Sequence, residues 1–289
     1  MKRMKIIVTV LAAAVLLLGT ASFTFAGGEQ EGDGGSGSIR LSMGGSTTME
    51  PIMSSAMEVY RMEVDPAAEL SYDAPGSTAG IRGVLNGTYD LGCASRELFI
   101  DEKQQGVQTT PVALDGLAVI VNDTVPIDDI SIENLAAIYV GEIKNWKAVG
   151  GPDQKIVVVN RDEASGTLGA FREAVLERIY GDDARFILNA LVTESNGNMA
   201  TMVSQTPYAV GYASMHVLDR LRQSGGKDLT VDGIRDIPEN VYNGSYPISR
   251  PLNVVTYGEP EGDAKKFLEF LLSERGQEIV REVKYLPLR

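Results

Sequence analysis

The stretch RDEASGTLGAF, residues 161–171, combines an arginine with a turn that is rich in hydroxyl groups and glycine. It follows the apolar run KIVVVN and precedes a helical pattern, so it lies where a strand gives way to a helix. Backbone N–H groups at a helix N-terminus attract anions, and Arg161 adds a planar set of donors that suits an oxyanion. Ser165, Gly166 and Thr167 would form the start of the helix. The stretch therefore predicts an oxyanion site.

Two further strand-to-helix junctions share this composition. GGSTTMEP (44–51) contributes Ser46, Thr47 and Thr48, and PGSTAGIRG (75–83) contributes Ser77. Serine and threonine acting as ordinary helix caps would explain any one of these junctions. Three such junctions in one chain, one of them with an arginine, favour a shared oxyanion pocket.

Asp90 stands in GTYDLGCASRE, at the start of a strand pattern. A structural role as a turn or cap carboxylate stays open for it. Inside an oxyanion pocket, a carboxylate accepts a hydrogen bond from an anion that keeps a proton and repels one that has none. In that position Asp90 would select phosphate over sulfate.

Short β-branched runs alternate with helical patterns along the chain, which indicates an α/β fold. The predicted strands are residues 39–43, 69–74, 90–95, 116–122, 155–160, 208–214 and 253–257. The predicted helices are residues 51–61, 80–86, 131–139, 167–180, 197–205 and 264–283, the last broken at Gly276.

The N-terminus has the pattern of a secretory signal peptide, residues 1–26. The basic start MKRMK precedes the apolar run Ile6–Gly19, and small residues predict cleavage after Ala26. An uncleaved anchor is the alternative, whereas a lipid anchor is not expected because the one cysteine, Cys93, lies deep in the chain. Residues 27–38 predict a flexible leader. The signal predicts a periplasmic protein.

Acidity limits the possible partners. After cleavage the chain would keep 263 residues and a net charge of about −16. This charge argues against nucleic acid and anionic membranes as partners. An anion must therefore be held by local hydrogen bonds rather than by the field of the whole protein.

The sequence contains no recognisable catalytic or metal-binding set. His216 is the lone histidine and belongs to no recognisable triad. The chain also has no HxxxH, multi-carboxylate or GxxxxGK pattern. We therefore expect a binding protein with no catalytic residue, no cofactor and no metal, in which Trp146 packs as the anchor of a surface loop and Cys93 is a buried small hydrophobe.

Eight motifs occur in the order GGSTTMEP, GSTAGI, GTYDLGCASREL, ALDGLAVIVN, IKNWKAVGG, VNRDEASGT, AVGYAS and YPISRPL. Together, over residues 39–288, they resemble the periplasmic phosphate-binding proteins of phosphate ABC transporters, in their shorter bacterial subfamily. The resemblance implies a type II periplasmic-binding-protein fold: two α/β sandwich lobes, two hinge crossings and phosphate in the cleft between the lobes. Residues 39–112 and 247–289 would form lobe one and residues 113–246 lobe two.

The resemblance also implies a ligand set, a partner and a monomer. The expected partner is the membrane permease of the transporter. Glu163 would orient Arg161, and Arg96 would either brace Asp90 or touch the ligand. Ala164 replaces a glycine of the family pattern, which would strain the loop if that position required a positive φ. The implied phosphate contacts are Thr47, Thr48, Ser77, Asp90, Arg161, Ser165, Gly166 and Thr167, supported by Ser46, Ser95, Arg96 and Glu163.

Two other functions stay open at this point. Binding proteins of the same fold carry sulfate or molybdate, which lack a titratable proton at neutral pH and have no use for an acceptor such as Asp90. A phosphate sensor that takes no part in transport would use the same pocket. The docking surface for a permease has no readable motif, so the sequence does not separate sensing from transport.

Overall fold

A ten-stranded sheet organises the fold, and the computed structural model describes residues 38–289. The predicted signal peptide and leader, up to residue 37, lie outside the described residues. All seven predicted strands are confirmed, and β5, β7 and β9 were missed because they are short or carry polar residues. The strands are β1 (Arg40–Gly45), β2 (Glu69–Asp73), β3 (Leu91–Ala94), β4 (Val107–Asn122), β5 (Asp129–Ile130), β6 (Val157–Arg161), β7 (Leu191–Thr193), β8 (Ala209–Ser214), β9 (Gly226–Val231) and β10 (Ser249–Tyr257).

Helices connect most of the strands, and the six predicted helical regions are confirmed. A π-helical segment, Arg172–Glu177, joins α5 to α6. Short 3₁₀ turns occur at Trp146–Val149 and Met215–Val217. The helices are α1 (Glu50–Glu63), α2 (Ser77–Leu85), α3 (Ile100–Gln104), α4 (Ile132–Val140), α5 (Gly166–Phe171), α6 (Arg178–Tyr180), α7 (Asn196–Gln205), α8 (Leu218–Gln223), α9 (Pro238–Tyr242), α10 (Gly262–Leu272) and α11 (Glu274–Glu282).

The break in the C-terminal helical region lies at Ser273 and not at Gly276, so the predicted position is wrong. The Ser273 hydroxyl accepts a hydrogen bond from the Gly276 backbone N–H at 3.2 Å and caps α11. Gly276 lies inside α11, where a Cβ would come within 2.3 Å of the Leu271 carbonyl oxygen. The glycine serves the close approach of α10 rather than the break.

Two sets of parallel strands, antiparallel to each other, each place helix starts at their carboxyl ends. Strand β1 runs parallel to β2 and β3, and β6 runs parallel to β7 and β8. Helices α1 and α2 follow β1 and β2, while α5 and α7 follow β6 and β7. Ligands of open α/β sheets bind at the carboxyl ends of the strands. The hydroxyl-rich junctions therefore lie where this fold class forms its binding sites.

The long strand β4 links two groups of buried apolar side chains. Its first part, up to Gly116, pairs with β10, and its second part, from Leu117, pairs with β8 and β9. Two apolar clusters draw their buried members from residues 39–113 and 252–285. The buried side chains of the other two apolar clusters come from residues 117–248. Strand β4, which pairs with β10 on one side of Gly116 and with β8 and β9 on the other, thus joins the two groups.

Trp146, which the sequence predicted to anchor a surface loop, is fully buried. Its side chain belongs to the apolar cluster that includes Tyr139 and Phe171. The indole Nε1–H donates to the Tyr208 carbonyl oxygen at 2.9 Å. The tryptophan thereby anchors the segment after α4 to the turn before β8.

We expect Trp146→Ala to lower the free energy of unfolding by about 3–5 kcal/mol, because it removes a fully buried aromatic side chain. Trp146→Phe should cost about 0.5–1.5 kcal/mol through the lost indole hydrogen bond, because the Tyr208 carbonyl oxygen keeps a second donor, the Val157 backbone N–H at 3.1 Å. Urea denaturation followed by circular dichroism measures both losses. Tyr257→Ala is the control: that side chain is 66% exposed, and its loss should change stability by no more than about 0.5 kcal/mol. Equal midpoints for Trp146→Ala and the control would contradict the anchoring role.

Candidate functional site

Buried polar side chains converge at the carboxyl ends of the strands. They come from both groups of strands, and each is exposed by 4% or less. Polar groups this deep must find partners in the protein or in a ligand, because burying them unpaired is costly. The members of this polar cluster are Ser46, Thr48, Ser77, Ser95, Asp115, Arg161, Ser165, Thr167, Asn196, Ser214 and Arg250.

The loop after β1 reaches across to the opposite group of strands. Thr48 Oγ1 lies 3.2 Å from Thr167 Oγ1 and accepts a hydrogen bond from Asn196 Nδ2 at 2.9 Å. Thr47, which is partly exposed, accepts from Arg161 Nη2 at 3.3 Å. The predicted threonines therefore lie beside the predicted arginine and the start of α5.

The loops that follow β2 and β3 meet the same helix start. Ser95 Oγ accepts from Ser46 Oγ at 2.9 Å, and the Ser95 backbone N–H donates to Ser77 Oγ at 3.1 Å. A Cβ at Gly166 would lie 2.1 Å from Ser77 Oγ and 2.7 Å from Ser95 Oγ. Only glycine fits there, which explains its place in the Ser-Gly-Thr sequence.

The third junction begins with Ser165, whose Oγ accepts from the Leu168 backbone N–H at 3.2 Å and caps α5. Ala164 has no positive φ, so the strain considered for it does not arise. Its carbonyl oxygen accepts from the Thr78 backbone N–H at 3.2 Å. A Cβ at Gly76 would lie 2.6 Å from the same oxygen. The loop after β6 thus packs directly on the start of α2.

Arg161 is 2% exposed, and one of its donors has no protein partner. Nε donates to the Thr193 carbonyl oxygen at 3.1 Å, and Nη2 donates to the Glu194 carbonyl oxygen at 2.6 Å. Nη1 is buried and has no hydrogen-bond partner within residues 38–289. Burial lowers the pKa of Arg161 to about 10, so the side chain is charged at neutral pH. A buried cation with an unused N–H group is suited to an anionic acceptor.

A second buried arginine was missed from the sequence. Arg250 Nε and Nη2 donate to Asp115 Oδ2 at 3.2 and 2.9 Å. Arg250 Nη1 donates to the Ser95 carbonyl oxygen at 2.8 Å and to Thr167 Oγ1 at 3.0 Å. The available signal was a charge inside a strand-like run, Asp115 in ALDGLAVIVN and Arg250 in YPISRPL. A charge buried in a strand requires a partner, but the sequence alone did not reveal which one.

The hydrogen bonds of Asp115 continue to His216. Asp115 Oδ1 accepts from Ser214 Oγ at 2.7 Å, and His216 Nδ1 lies 2.8 Å from both Ser214 Oγ and the Tyr285 hydroxyl oxygen. The Tyr285 hydroxyl gives its own proton to the Thr48 carbonyl oxygen at 2.5 Å. Because both hydroxyl protons are committed elsewhere, Nδ1 must carry the histidine proton and donate it. His216 is therefore assigned as the neutral Nδ1–H tautomer.

Asp90 does not belong to the polar cluster, so its predicted role as a proton-reading acceptor is wrong. It is exposed, and Oδ2 accepts from the Ser42 backbone N–H at 2.8 Å and from Ser42 Oγ at 3.1 Å. Asp90 precedes β3, whereas Ser95 follows it, and a strand rises about 3.3 Å per residue. The two residues therefore lie at opposite ends of the strand. The structural interpretation of Asp90 is the correct one, since it ties the start of β3 to β1.

Arg96 and Glu163 also have partners other than those predicted. Both terminal nitrogens of Arg96 donate to the Glu102 carboxylate at 2.8 Å, so this guanidinium is committed to Glu102. Neither of the two roles considered for Arg96 is supported. The Glu163 side chain is 83% exposed and lies 3.5 Å from Arg172. The prediction that it orients Arg161 is wrong, and backbone carbonyl groups of the loop after β7 do so instead.

The described residues offer no alternative centre for metal chemistry. Within residues 38–289, no group of three or more His, Cys, Asp or Glu side chains is placed to hold a metal ion. Cys93 is fully buried, and burial raises the pKa of its thiol to about 12. No helix in this part of the chain is long and apolar enough to cross a membrane.

Comparison with known proteins identifies the family. The model of the PBP superfamily domain matches residues 28–275. The chain is 35% identical over 252 residues to the phosphate-binding protein PstS of Borreliella burgdorferi, covering 86% of this chain and 90% of the relative. The chain belongs to the PstS family of this superfamily. It is also 32% identical over 303 residues to PstS of Bacillus subtilis, covering 100% of this chain and 95% of the relative.

Solved structures of the family share the fold. A putative phosphate ABC transporter substrate-binding protein from Clostridium perfringens, solved with bound phosphate, matches with a TM-score of 0.79 and 34% identity. It covers 86% of this chain and 100% of its own. An ABC-type phosphate transport receptor from Vibrio cholerae matches with a TM-score of 0.73, 32% identity and the same coverage. The expected periplasmic-binding-protein fold is confirmed.

His216 should make stability depend on pH. Burial, opposed by Asp115 and reinforced by Arg250, lowers the pKa of His216 from 6.5 to about 4. Between pH 6.5 and pH 4 the histidine is protonated in the unfolded chain but not in the folded protein. The contribution of His216 to the free energy of unfolding is therefore complete above pH 6.5 and decreases as the pH falls. We expect this group to contribute a loss of about 2 kcal/mol between pH 7 and pH 5.

Urea denaturation of the wild type and of His216→Gln at both pH values measures that contribution. Glutamine can still donate to Ser214 and Tyr285 but does not titrate. The variant should therefore lose about 2 kcal/mol less than the wild type between pH 7 and pH 5. An identical pH dependence in both proteins would contradict the buried neutral histidine.

Proposed function

We propose that this protein binds inorganic phosphate and delivers it to the permease of an ABC-type phosphate importer. The observation that carries the proposal is Arg161 Nη1, a buried charged donor with no partner within the described residues, beside the hydroxyl loops. The two PstS relatives are named for phosphate binding, and the structural relative from Clostridium perfringens holds phosphate. These comparisons favour phosphate among the oxyanions considered.

Arg161 makes the charge-assisted contact with the ligand in this proposal. Hydroxyl and backbone N–H groups of the three junctions complete the oxyanion shell. Arg250 does not contact the ligand in this proposal. Its guanidinium is held by Asp115 and donates to the hydroxyls of Thr48 and Thr167, so it positions those two hydroxyls. The two buried arginines and one buried aspartate leave a net positive charge, which favours an anion locally. The junction residues in this set are Thr47, Thr48, Ser77, Ser165, Gly166 and Thr167, with Ser46 and Ser95 in support.

The ligand lies between two lobes, formed by residues 39–112 with 247–289 and by residues 113–246. The division of the apolar clusters on either side of β4 supports this assignment. Thr48 and Thr167 face each other across the boundary, as do Thr47 and Arg161. An anion that binds donors from both lobes stabilises the closed arrangement.

Serine and threonine hydroxyls supply the selectivity that Asp90 does not. A hydroxyl both donates and accepts, so it can take the proton of a monohydrogen or dihydrogen phosphate as readily as it donates to a bare oxygen. Guanidinium groups donate only. The mixture of hydroxyls and one free guanidinium donor suits an anion that is charged and partly protonated.

The protein acts as a periplasmic monomer, without catalysis, cofactor or metal. The family of solute-binding proteins supports a role in transport. The lone histidine donates from Nδ1 to Ser214 and Tyr285, so the nitrogen that faces the hydroxyls is no base for a nucleophile. The permease subunits of the importer are the partner.

We expect Arg161→Ala to weaken phosphate binding by about 10- to 150-fold, because it removes a charge-assisted hydrogen bond of about 1.5–3 kcal/mol. Calorimetric titration of ligand-free protein at neutral pH, with phosphate and then with sulfate and molybdate, measures the effect. Arg82→Ala is the matched control, since Arg82 is exposed on α2 and its removal changes the net charge equally. Equal affinities of the two variants, or tight binding of sulfate or molybdate in preference to phosphate, would contradict the proposal.

We expect Asp90→Asn to leave the preference for phosphate over sulfate unchanged, because this carboxylate is exposed and bonded to Ser42. Competition of the two anions in the same titration measures the preference. Asparagine keeps an acceptor for Ser42, so the variant should fold normally. A gain in sulfate binding would show that Asp90 approaches the ligand after all.

A further inference from the structure

A second concave site lies away from the polar cluster, between the end of α4, the start of β6 and the segment before β7. We call it the β6 groove, and its volume is about 640 Å³. That volume is within the range of small-molecule pockets, about 300–1,000 Å³, which are lined mainly by apolar side chains with a few polar groups. Its walls include Ile143, Ile156, Phe186, Ile187, Leu188 and Leu191.

The groove exposes apolar side chains to water. Leu188 is 103% exposed and Leu191 43% exposed, and the neighbouring Val192 is 60% exposed. Strand β7, which carries the last two, lies at the edge of the sheet and pairs only with β6 among the described strands. Leu188 and Leu191 line the groove itself, so exposed apolar side chains coincide there with a concave site, a combination typical of a binding surface.

Three cations lie in the lining of the groove: Lys144, Lys155 and Arg185. No carboxylate is among its lining residues within the described part of the chain. Arg185 reaches Asp183 only at 3.9 Å, with both side chains largely exposed, so that pair neutralises little. In a chain with a net charge of −13, three cations around an apolar groove are a local reversal of sign.

We propose that the β6 groove binds a small amphipathic anion, a single carboxylate on an unbranched apolar tail. The tail lies along Ile156, Phe186 and Ile187, and the head group faces the three cations. Inorganic phosphate suits this site less well, because it has no apolar part and would leave the apolar walls exposed to water. None of the groove residues belongs to the polar cluster, so the inference stands independently of the proposed function.

Calorimetric titration of the purified protein with hexanoate, octanoate and decanoate tests the proposal. Each methylene that enters the groove should tighten binding by about threefold to fourfold. Decanoate should bind one-to-one, whereas acetate lacks the tail and decyltrimethylammonium carries the wrong charge, so neither should bind measurably. Saturating the protein with phosphate beforehand should leave the decanoate titration unchanged.

Charge-matched variants separate the head-group contact from the net charge of the protein. Lys144→Gln, Lys155→Gln and Arg185→Gln together should weaken decanoate binding by about tenfold. The control combines Arg82→Gln, Lys103→Gln and Lys265→Gln, three exposed cations outside the groove, and should leave decanoate binding unchanged. Leu188→Glu, at a fully exposed position, should also weaken decanoate binding by placing a like charge beside the carboxylate.

Four results would overturn the proposal. The first is the absence of decanoate binding, and the second is an affinity that does not change with tail length. The third is an equal loss of affinity in the groove triple variant and the control triple variant. The fourth is a dimer in sedimentation that Leu188→Glu dissociates, which would assign the exposed apolar side chains to a second copy of this chain.

Discussion

The buried ion pair between Arg250 and Asp115 holds the carboxyl ends of the strands together. Both side chains are 2% exposed, so neither charge is compensated by water. The remaining N–H groups of the Arg250 guanidinium donate to the Ser95 carbonyl oxygen and to the hydroxyls of Thr48 and Thr167. Removing one partner of such a pair leaves an uncompensated buried charge, which costs about 3–5 kcal/mol. The hydroxyl loops are therefore positioned by a contact that has no need to touch a ligand.

This arrangement separates the roles of the two arginines. Arg250 is saturated by protein acceptors, whereas Arg161 keeps one buried donor unused. A strongly acidic protein repels anions at long range, but the field of distant charges is screened over about 8–10 Å at physiological ionic strength. Local donors of fixed direction outweigh that repulsion at a buried site. The same reasoning explains how the β6 groove can attract an anion on the surface of an acidic chain.

Glycine positions show how closely the two groups of strands approach each other. Gly166 has no room for a side chain beside Ser77 and Ser95, and Gly76 has none beside the Ala164 carbonyl. The sequence Ser-Gly-Thr, considered only as the start of a helix, is a common N-terminal cap. Its glycine has a further role that becomes visible only when the opposite loop is placed against it. Substitution there would alter the contact between the two groups of strands before it altered the helix.

Local pattern in the sequence determined the α/β class, seven of the strands, the three hydroxyl junctions and the position of Arg161 beside one of them, because alternation and capping chemistry act over a few residues. Only the tertiary structure decided which charges share the site. Asp90 and Asp115 both lie in strand-like runs. In the folded sheet, however, Asp90 lies at the end of β3 that is far from Ser95, whereas Asp115 contacts Arg250. Asp115 and Arg250 are 135 positions apart in the chain. Their pairing depends on the antiparallel register of β4 and β10, and no short-range pattern encodes that register.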